Sequence, residues 1–230
     1  MSDGAEQRPA VVVQVGSLRL SGPWALAIVA ALVGVIVALV VWAQPPRRVV
    51  ATLLIWLAFQ IYWTLAARRS SKAVSSESPG SRAIHTRLLN LSMLLLLISW
   101  PGLRTRFVPL TDTVVAIGFA VQALGFALAA WARVCLGRNW SGNVRVAADH
   151  ELIRSGPYRW VRHPIYTAMF LMYAGSGLVY GELHALVAFA VLVFAYARKI
   201  PQEERLLRET FGPAYEAYQR ESAAVVPYLF

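Results

Sequence analysis

Two polar stretches in the C-terminal half carry side chains that could do chemistry. The first, DHELIRSGPYRWVRHPIY (149–166), places Tyr158, His163 and Tyr166 directly before an apolar run. Pro164 suits the first turn of a helix, because its missing N–H has no helical partner there. The residues before it would then lie at a helix N-terminus, which favours an anionic ligand group. The competing interpretation is anchoring, since Tyr, Trp, Arg and His favour the headgroup zone of a membrane.

The second stretch is RKIPQEERLLRETFGPAYEAYQRES (198–222). Pro201 predicts a kink or a restart of the helix, with Glu203 and Glu204 in the next turn. The Gly-Pro pair after Phe211 predicts the end of this helix and the start of another, whose tyrosines could pack back against the first. The competing interpretation is a surface amphipathic helix with solvated glutamates.

The elements around these stretches are apolar blocks. Hydrophobic residues make up 57% of the chain and charged residues 15%, whereas a soluble domain carries roughly a quarter charged residues. The blocks have about the length that crosses a bilayer. We therefore predict an all-α integral membrane protein with about five to six transmembrane helices, a C-terminal helical hairpin and short cytoplasmic helices. The blocks are Pro23–Ala43, Val49–Ala67, Leu88–Leu103, Val108–Leu136, Ile165–Val179 and Leu183–Ala197.

The net charge of +10 is explained by the orientation of the chain in the membrane. With six crossings, 18 of the 22 basic residues lie on the side that holds both termini, so both termini and the polar stretches are expected in the cytoplasm. The basic excess then suits anionic lipid headgroups, and we expect neither nucleic acid nor an obligate protein partner. A single cysteine and four histidines without zinc spacing predict no metal site.

The motifs resemble those of the isoprenylcysteine carboxyl methyltransferase family and its membrane-embedded relatives, which include phospholipid methyltransferases. The resemblance runs from about Gly137 to the C-terminus, through LGRNWSGNV, HELIRSGPYRWVRHPIY, EERLLRETFGPAYEAYQR and VVPYLF in that order. It implies S-adenosylmethionine as methyl donor, bound on the cytoplasmic side without a Rossmann domain. It also implies a lipidic or amphiphilic acceptor, such as a carboxylate.

The resemblance also implies roles for individual residues. Glu203 and Lys199 would be the catalytic residues, and Lys199 stands where eukaryotic relatives have an arginine associated with substrate. Because lysine lacks the planar fork of arginine, the acceptor atom stays open among oxygen, nitrogen and sulfur. In this picture Glu203 pairs with a donor cation, tyrosine rings offer cation–π contacts, and the residues before Pro164 take the donor carboxylate. The expected cofactor contacts are Asn143, His150, Glu151, Leu152, Ile153, Tyr158, His163, Pro164, Ile165, Tyr166 and Glu203.

This interpretation divides the chain into segments. They are a cytoplasmic segment (1–22), four transmembrane helices (23–136) and a catalytic region (137–230). The catalytic region comprises a cofactor loop (137–163), a membrane hairpin (164–198) and cytoplasmic helices (199–230). Within the loop we expect His163 to face the site, and Arg162 to satisfy the ends of neighbouring helices or to bind headgroups.

Two other functions fit the same pattern. An NADPH-dependent membrane sterol-type reductase would have a similar His-Pro-x-Tyr turn, and a non-catalytic lipid- or cofactor-binding membrane protein would share the scaffold. The near-exclusive use of arginine over lysine is common in GC-rich bacterial genomes, so we expect a bacterial cytoplasmic membrane.

Overall fold

The computed structural model describes residues 12–15, 18–21, 45–67, 78–137 and 152–226. The N-terminal unit, up to Arg47, contains strands β1 (Val12–Val15) and β2 (Leu18–Ser21), which pair antiparallel. This hairpin was not predicted for segment 1–22, although its β-branched valines favour a strand. The apolar block 23–43, predicted to be the first transmembrane helix, lies outside the described residues.

The larger unit is helical, which confirms the all-α integral membrane class. Helices α1, α3 and α5 contain stretches long and apolar enough to cross a membrane, and the total of five to six crossings stays a prediction. Short 3-10 helices cover Pro101–Leu103 and Gly156–Arg159. The α-helices are α1 (Arg47–Ala67), α2 (Pro79–Leu97), α3 (Asp112–Leu136), α4 (Pro164–Tyr180), α5 (Leu183–Phe211) and α6 (Pro213–Glu221).

Helix α2 begins and ends earlier than the block Leu88–Leu103 predicted. Ser78 caps it, since its hydroxyl accepts from the Ser81 N–H at 3.2 Å, and proline occupies the first turn. Hydropathy marks only the apolar part of a helix, and the first turns of α2 are polar.

Pro201 does not restart a helix, because it lies inside α5, which continues to Phe211. The predicted boundary between the membrane hairpin and the cytoplasmic helices, after residue 198, lies within α5 and stays a prediction. An interior proline costs about 3 kcal/mol, and tertiary contacts on this part of α5 offset that cost. One of them joins the Ser81 hydroxyl to Gln202 Oε1 at 3.0 Å. The predicted stop at the Gly-Pro pair is confirmed, since α6 begins at Pro213.

Helices α3 and α4 approach each other backbone to backbone. A Cβ atom on Gly175 would lie 2.5 Å from the carbonyl oxygen of Gly118, and one on Gly118 would lie 2.8 Å from that of Gly175. Further along, a Cβ on Gly125 would lie 2.8 Å from the Ala168 carbonyl oxygen. Small residues allow such close packing between membrane helices. The contact fixes α4, and with it the polar residues at its N-terminus.

Two hydrogen bonds between buried side chains and neighbouring helices link the helices in the part described. The Ser92 hydroxyl of α2 donates to the Ala188 carbonyl of α5 at 2.7 Å. The Trp56 indole of α1 donates to the Ser176 hydroxyl of α4 at 3.0 Å. A membrane interior offers no water to such groups, so these bonds set which faces of the helices meet.

Candidate functional site

The loop before α4 pairs with the end of the described chain. Residues Ser222–Val226, here called the C-terminal strap, run parallel to Val161 and the residues after it. The N–H groups of Arg162 and His163 donate to Ala223 and Ala224 carbonyls, both at 2.9 Å. These two N–H groups are therefore occupied by protein carbonyls. That the residues before Pro164 take a ligand carboxylate stays a prediction, and these two N–H groups already have acceptors in the C-terminal strap.

Tyr166 and Glu203 join the two polar stretches by a hydrogen bond between side chains. The Tyr166 hydroxyl lies 2.7 Å from each oxygen of the Glu203 carboxylate, to which it donates. Lys199, one turn earlier on α5, places Nζ 3.7 Å from Glu203 Oε1. The predicted meeting of the HPIY turn with the acidic pair is thus confirmed as a contact.

His163 lies between the two carboxylates of the acidic pair. Its Nδ1 is 3.5 Å from Glu203 Oε2, and its Nε2 is 3.4 Å from Glu204 Oε1. The ring stacks on Tyr166 with centroids 5.3 Å apart and planes 2° apart. Pro164 occupies the first turn of α4 as predicted, so His163 serves as the helix N-cap residue. The backbone position and the stacked tyrosine together orient the imidazole.

Arg162 and Gln219 hold the second carboxylate. Arg162 Nε donates to Glu204 Oε1 at 2.7 Å, and Gln219 Nε2 donates to Oε2 at 2.9 Å. Arg162 also donates to the carbonyls of Gln219 and Ser222. These carbonyls end α6, so the expectation that Arg162 satisfies the end of a neighbouring helix is confirmed. The contribution of Gln219 was missed, because nothing in its local sequence distinguishes it from a surface glutamine.

Tyr158 and Tyr218 connect the loop to α6. The Tyr218 hydroxyl donates to the Tyr158 carbonyl, and the Arg154 guanidinium lies 5.1 Å from the centre of the Tyr218 ring. Burial raises the pKa of Tyr158 well above its usual range, and burial also raises the pKa of Tyr218 to about 12. Both rings are therefore neutral near pH 7, and Tyr158 offers an uncharged aromatic face.

An aromatic group extends the site towards the membrane. Tyr196 stacks on Tyr166 with ring centroids 4.1 Å apart, and Phe170 meets Tyr196 edge to face at 5.7 Å. The buried His85 ring of α2 lies 5.6 Å from Tyr196. Sequence reasoning missed Tyr196 and His85. Helical spacing could have indicated Tyr196, because it lies seven residues before Glu203 and so on the same face of α5.

The predicted site residues thus divide into three groups. The structure brings Tyr166, His163, Lys199 and Glu203 together. Of the other predicted residues, Tyr158 and Pro164 are buried, whereas Leu152, Ile153 and Ile165 are half-buried. Asn143, His150 and Glu151 lie outside the described residues. Among the described residues, no cluster of three or more His, Cys, Asp or Glu side chains could hold a metal ion.

Residues 116–209 match the model of the isoprenylcysteine carboxyl methyltransferase (ICMT) family. The predicted resemblance to this family is confirmed. The ICMT match covers about two fifths of the chain, from α3 to near the end of α5. It therefore begins before Gly137, where the motif resemblance began, and it stops before α6. It contains the HPIY turn, Lys199 and the acidic pair.

Curated relatives extend the ICMT similarity. A probable protein-S-isoprenylcysteine O-methyltransferase of Oryza sativa subsp. indica is 28% identical over 116 residues, which cover 49% of this chain and 61% of the relative. Protein-S-isoprenylcysteine O-methyltransferase A of Arabidopsis thaliana is 29% identical over 136 residues, which cover 58% and 66% respectively. The chain thus spans slightly less than two thirds of the length of these relatives.

One solved structure is also similar. It is that of the eukaryotic intramembrane Ras methyltransferase ICMT, with a TM-score of 0.48 and 23% identity, covering 68% of this chain and 55% of that one.

Proposed function

We propose that this protein is a membrane-embedded, S-adenosylmethionine-dependent methyltransferase that methylates the polar end of an amphiphilic acceptor, such as a carboxylate. The observation that carries the proposal is the contact between Tyr166 and Glu203, because it joins the two motifs on which the family similarity rests. The ICMT similarity supports methyl transfer and does not favour the reductase alternative.

The side chains of the site fit the chemistry of this donor. S-adenosylmethionine carries a sulfonium, an ammonium, a carboxylate and an aromatic base. Glu203 supplies a carboxylate for a cation, and the neutral tyrosines supply aromatic faces. Lys199, beside Glu203, supplies a cation for the anionic end of the acceptor.

The mechanism that we propose assigns alignment rather than proton transfer to the protein. When bound, the donor supplies a methyl group activated by the positive charge on its sulfur. Glu203 orients the cationic part of the donor, and Lys199 holds the anionic end of the acceptor. A carboxylate acceptor is already ionised at pH 7, so no side chain needs to remove a proton. The buried setting of Lys199 favours close alignment of the two reactants and exclusion of water.

Binding and transfer experiments on detergent-purified protein test this function. We expect calorimetry to detect S-adenosylmethionine and S-adenosylhomocysteine but not NADPH. Transfer of a labelled methyl group is then measured with an isoprenylated cysteine, an amphiphilic carboxylate and an amphiphilic amine. NADPH binding with no response to S-adenosylmethionine would contradict the proposal in favour of the reductase. Binding of neither cofactor would contradict it in favour of a non-catalytic protein.

We also propose that the site and both termini face the cytoplasm, as the distribution of basic residues predicts. The test uses a Cys135→Ser background with one new cysteine at Glu221, which is exposed at the end of α6. An impermeant thiol reagent should label this cysteine in inverted vesicles and not in intact cells. Labelling in intact cells would contradict the orientation.

A further inference from the structure

The two carboxylates of the acidic pair have different surroundings. Glu203 accepts from Tyr166, a group of the candidate site, at 2.7 Å on each oxygen. Glu204 accepts from Arg162 and Gln219, which belong to the loop and to α6, at 2.7 and 2.9 Å. Both oxygens of Glu204 are therefore held by supporting residues, and its orientation follows theirs.

The pair of Arg162 and Glu204 is largely shielded from solvent. Their side chains are 9% and 12% exposed, so the contact is a buried, charge-assisted hydrogen bond. The positive guanidinium offsets the charge of Glu204. Adjacent like charges disfavour each other, so this pairing reduces the repulsion between Glu204 and the neighbouring Glu203.

His163 connects this supporting network to the site. Its N–H donates to Ala224 of the C-terminal strap, which fixes the backbone. Its ring has Glu204 3.4 Å from Nε2 and Glu203 3.5 Å from Nδ1. A rotation of the Glu204 carboxylate would thus change its contact with the His163 imidazole. The same imidazole faces Glu203, so the change would reach the site.

We propose that Glu204 is a positioning residue, through which α6 and the C-terminal strap orient His163 and Glu203 for the ligand. Gln219, which holds Glu204, and the strap residues, which hold Arg162 and His163, lie beyond residue 209, where the ICMT match ends. The inference rests on the proposed function for the identity of the ligand, S-adenosylmethionine. The geometry of the network does not depend on it.

The experiment compares Glu204→Gln with Glu209→Gln in the full-length protein in detergent. Both variants remove one negative charge from α5, but Glu209 is exposed. The readouts are the affinity for S-adenosylhomocysteine, the melting temperature and the nitrogen signals of the His163 ring, assigned with His163→Asn. Glu204→Gln should shift the His163 signals and weaken binding by about tenfold, the loss expected when one orienting hydrogen bond is removed. Glu209→Gln should change neither.

A double variant separates positioning from a purely structural effect. Glu204→Gln with Gln219→Glu exchanges the two partners and returns a carboxylate to the neighbourhood of Arg162. We expect it to restore most of the binding and the His163 signals. If Glu204→Gln behaves like Glu209→Gln, or if the double variant restores the melting temperature alone, the proposal is overturned.

Two further results keep the test decisive. If Glu204→Gln fails to fold, Gln219→Ala removes one of the two holders without a change of charge, and it should shift the His163 signals in the same direction. An unshifted spectrum would overturn the proposal. If the unmodified protein does not bind S-adenosylhomocysteine, the proposed function fails, and the His163 signals still decide the role of Glu204.

Discussion

The two ends of the hairpin formed by α4 and α5 contain similar side chains in different arrangements. At the site end, a histidine lies between two carboxylates, with a tyrosine donating to one of them and an arginine to the other. At the opposite end, residues Tyr180–His184 form the turn and again include a tyrosine, a carboxylate and a histidine, with Arg106 alongside.

At the turn end, hydrogen bonds attach the loop between α2 and α3 to the turn of the hairpin. Glu182 accepts from the Ser99 hydroxyl at 2.7 Å, and the loop between α2 and α3 donates from Phe107 N–H to the Gly181 carbonyl at 3.1 Å. Gly181 takes a left-handed conformation, with φ of 67°, to close the turn. The polar side chains here attach a loop to a hairpin.

The difference shows that residue types alone do not identify a site. At the turn end, the Glu182 carboxylate contacts both Ser99 and His184 and so attaches the loop between α2 and α3 to the hairpin. Two carboxylates at the site end face one imidazole, and the charge of one of them is offset by Arg162. The second arrangement also places a lysine beside one of the carboxylates, which suits the recognition of a charged ligand.

Removal of an arginine from each end should give the largest contrast. Arg162→Ala leaves Glu204 as a buried charge without its main partner, and we expect it to lower the free energy of unfolding by about 3–5 kcal/mol. Arg106→Ala removes an exposed side chain and should stay within about 0.5 kcal/mol. Unfolding of both variants in one detergent measures this. Equal stabilities would contradict the burial of the ion pair.

His163→Ala sharpens the contrast with its neighbour Arg162. Its backbone bond to the C-terminal strap survives the substitution, so the protein should remain folded, while binding of S-adenosylhomocysteine weakens. Calorimetry and melting temperature on both variants check this. Normal binding by His163→Ala, combined with lost binding and an unchanged melting temperature in Arg162→Ala, would reverse the two roles.

The glutamates at the two ends should differ in ligand binding. Glu203→Gln should weaken binding of S-adenosylhomocysteine by about 1.5–3 kcal/mol, because a charged hydrogen-bonding group is lost from the site. Glu182→Gln should lower the melting temperature and leave the affinity unchanged. Calorimetric titration of both variants decides the matter, and a loss of affinity in Glu182→Gln would place a ligand role at the turn end as well.

The tyrosine hydroxyls provide a finer comparison. Tyr166→Phe removes the donor to Glu203 and keeps the ring, so we expect a loss of about 1.5 kcal/mol in binding. Tyr180→Phe removes a buried hydroxyl that has no hydrogen-bond partner in the described part of the chain, and binding should not change. The measurement is again the affinity for S-adenosylhomocysteine. Indistinguishable variants would mean that the contact between Tyr166 and Glu203 has no role in binding.

Ser99→Ala should have the smallest effect. It removes one hydrogen bond to Glu182 at the partly exposed turn end, which we expect to cost about 1 kcal/mol of stability and nothing in ligand affinity. Thermal unfolding with and without S-adenosylhomocysteine measures both. A change in the stabilisation by ligand would indicate that the two ends are coupled through the hairpin.

The sequence by itself determined the features that depend on local rules. Apolar blocks of bilayer length indicated the membrane helices, Pro164 marked the first turn of α4, and the Gly-Pro pair marked the end of α5. Lys199 and Glu203 lie four residues apart on one helix, a spacing that brings their side chains together. Family motifs then indicated that the HPIY turn and the acidic pair meet.

Only the tertiary structure decided how the two glutamates differ and which groups occupy the backbone before α4. Glu203 and Glu204 are adjacent in sequence, but helical geometry points them to different partners, one to Tyr166 and one to Arg162. The N–H groups of Arg162 and His163, which the sequence suggested as ligand contacts, donate instead to carbonyls of the C-terminal strap. Backbone donors pair with any carbonyl that packing brings near. A pairing between segments about 60 residues apart therefore leaves no pattern in the sequence and is set by the fold alone.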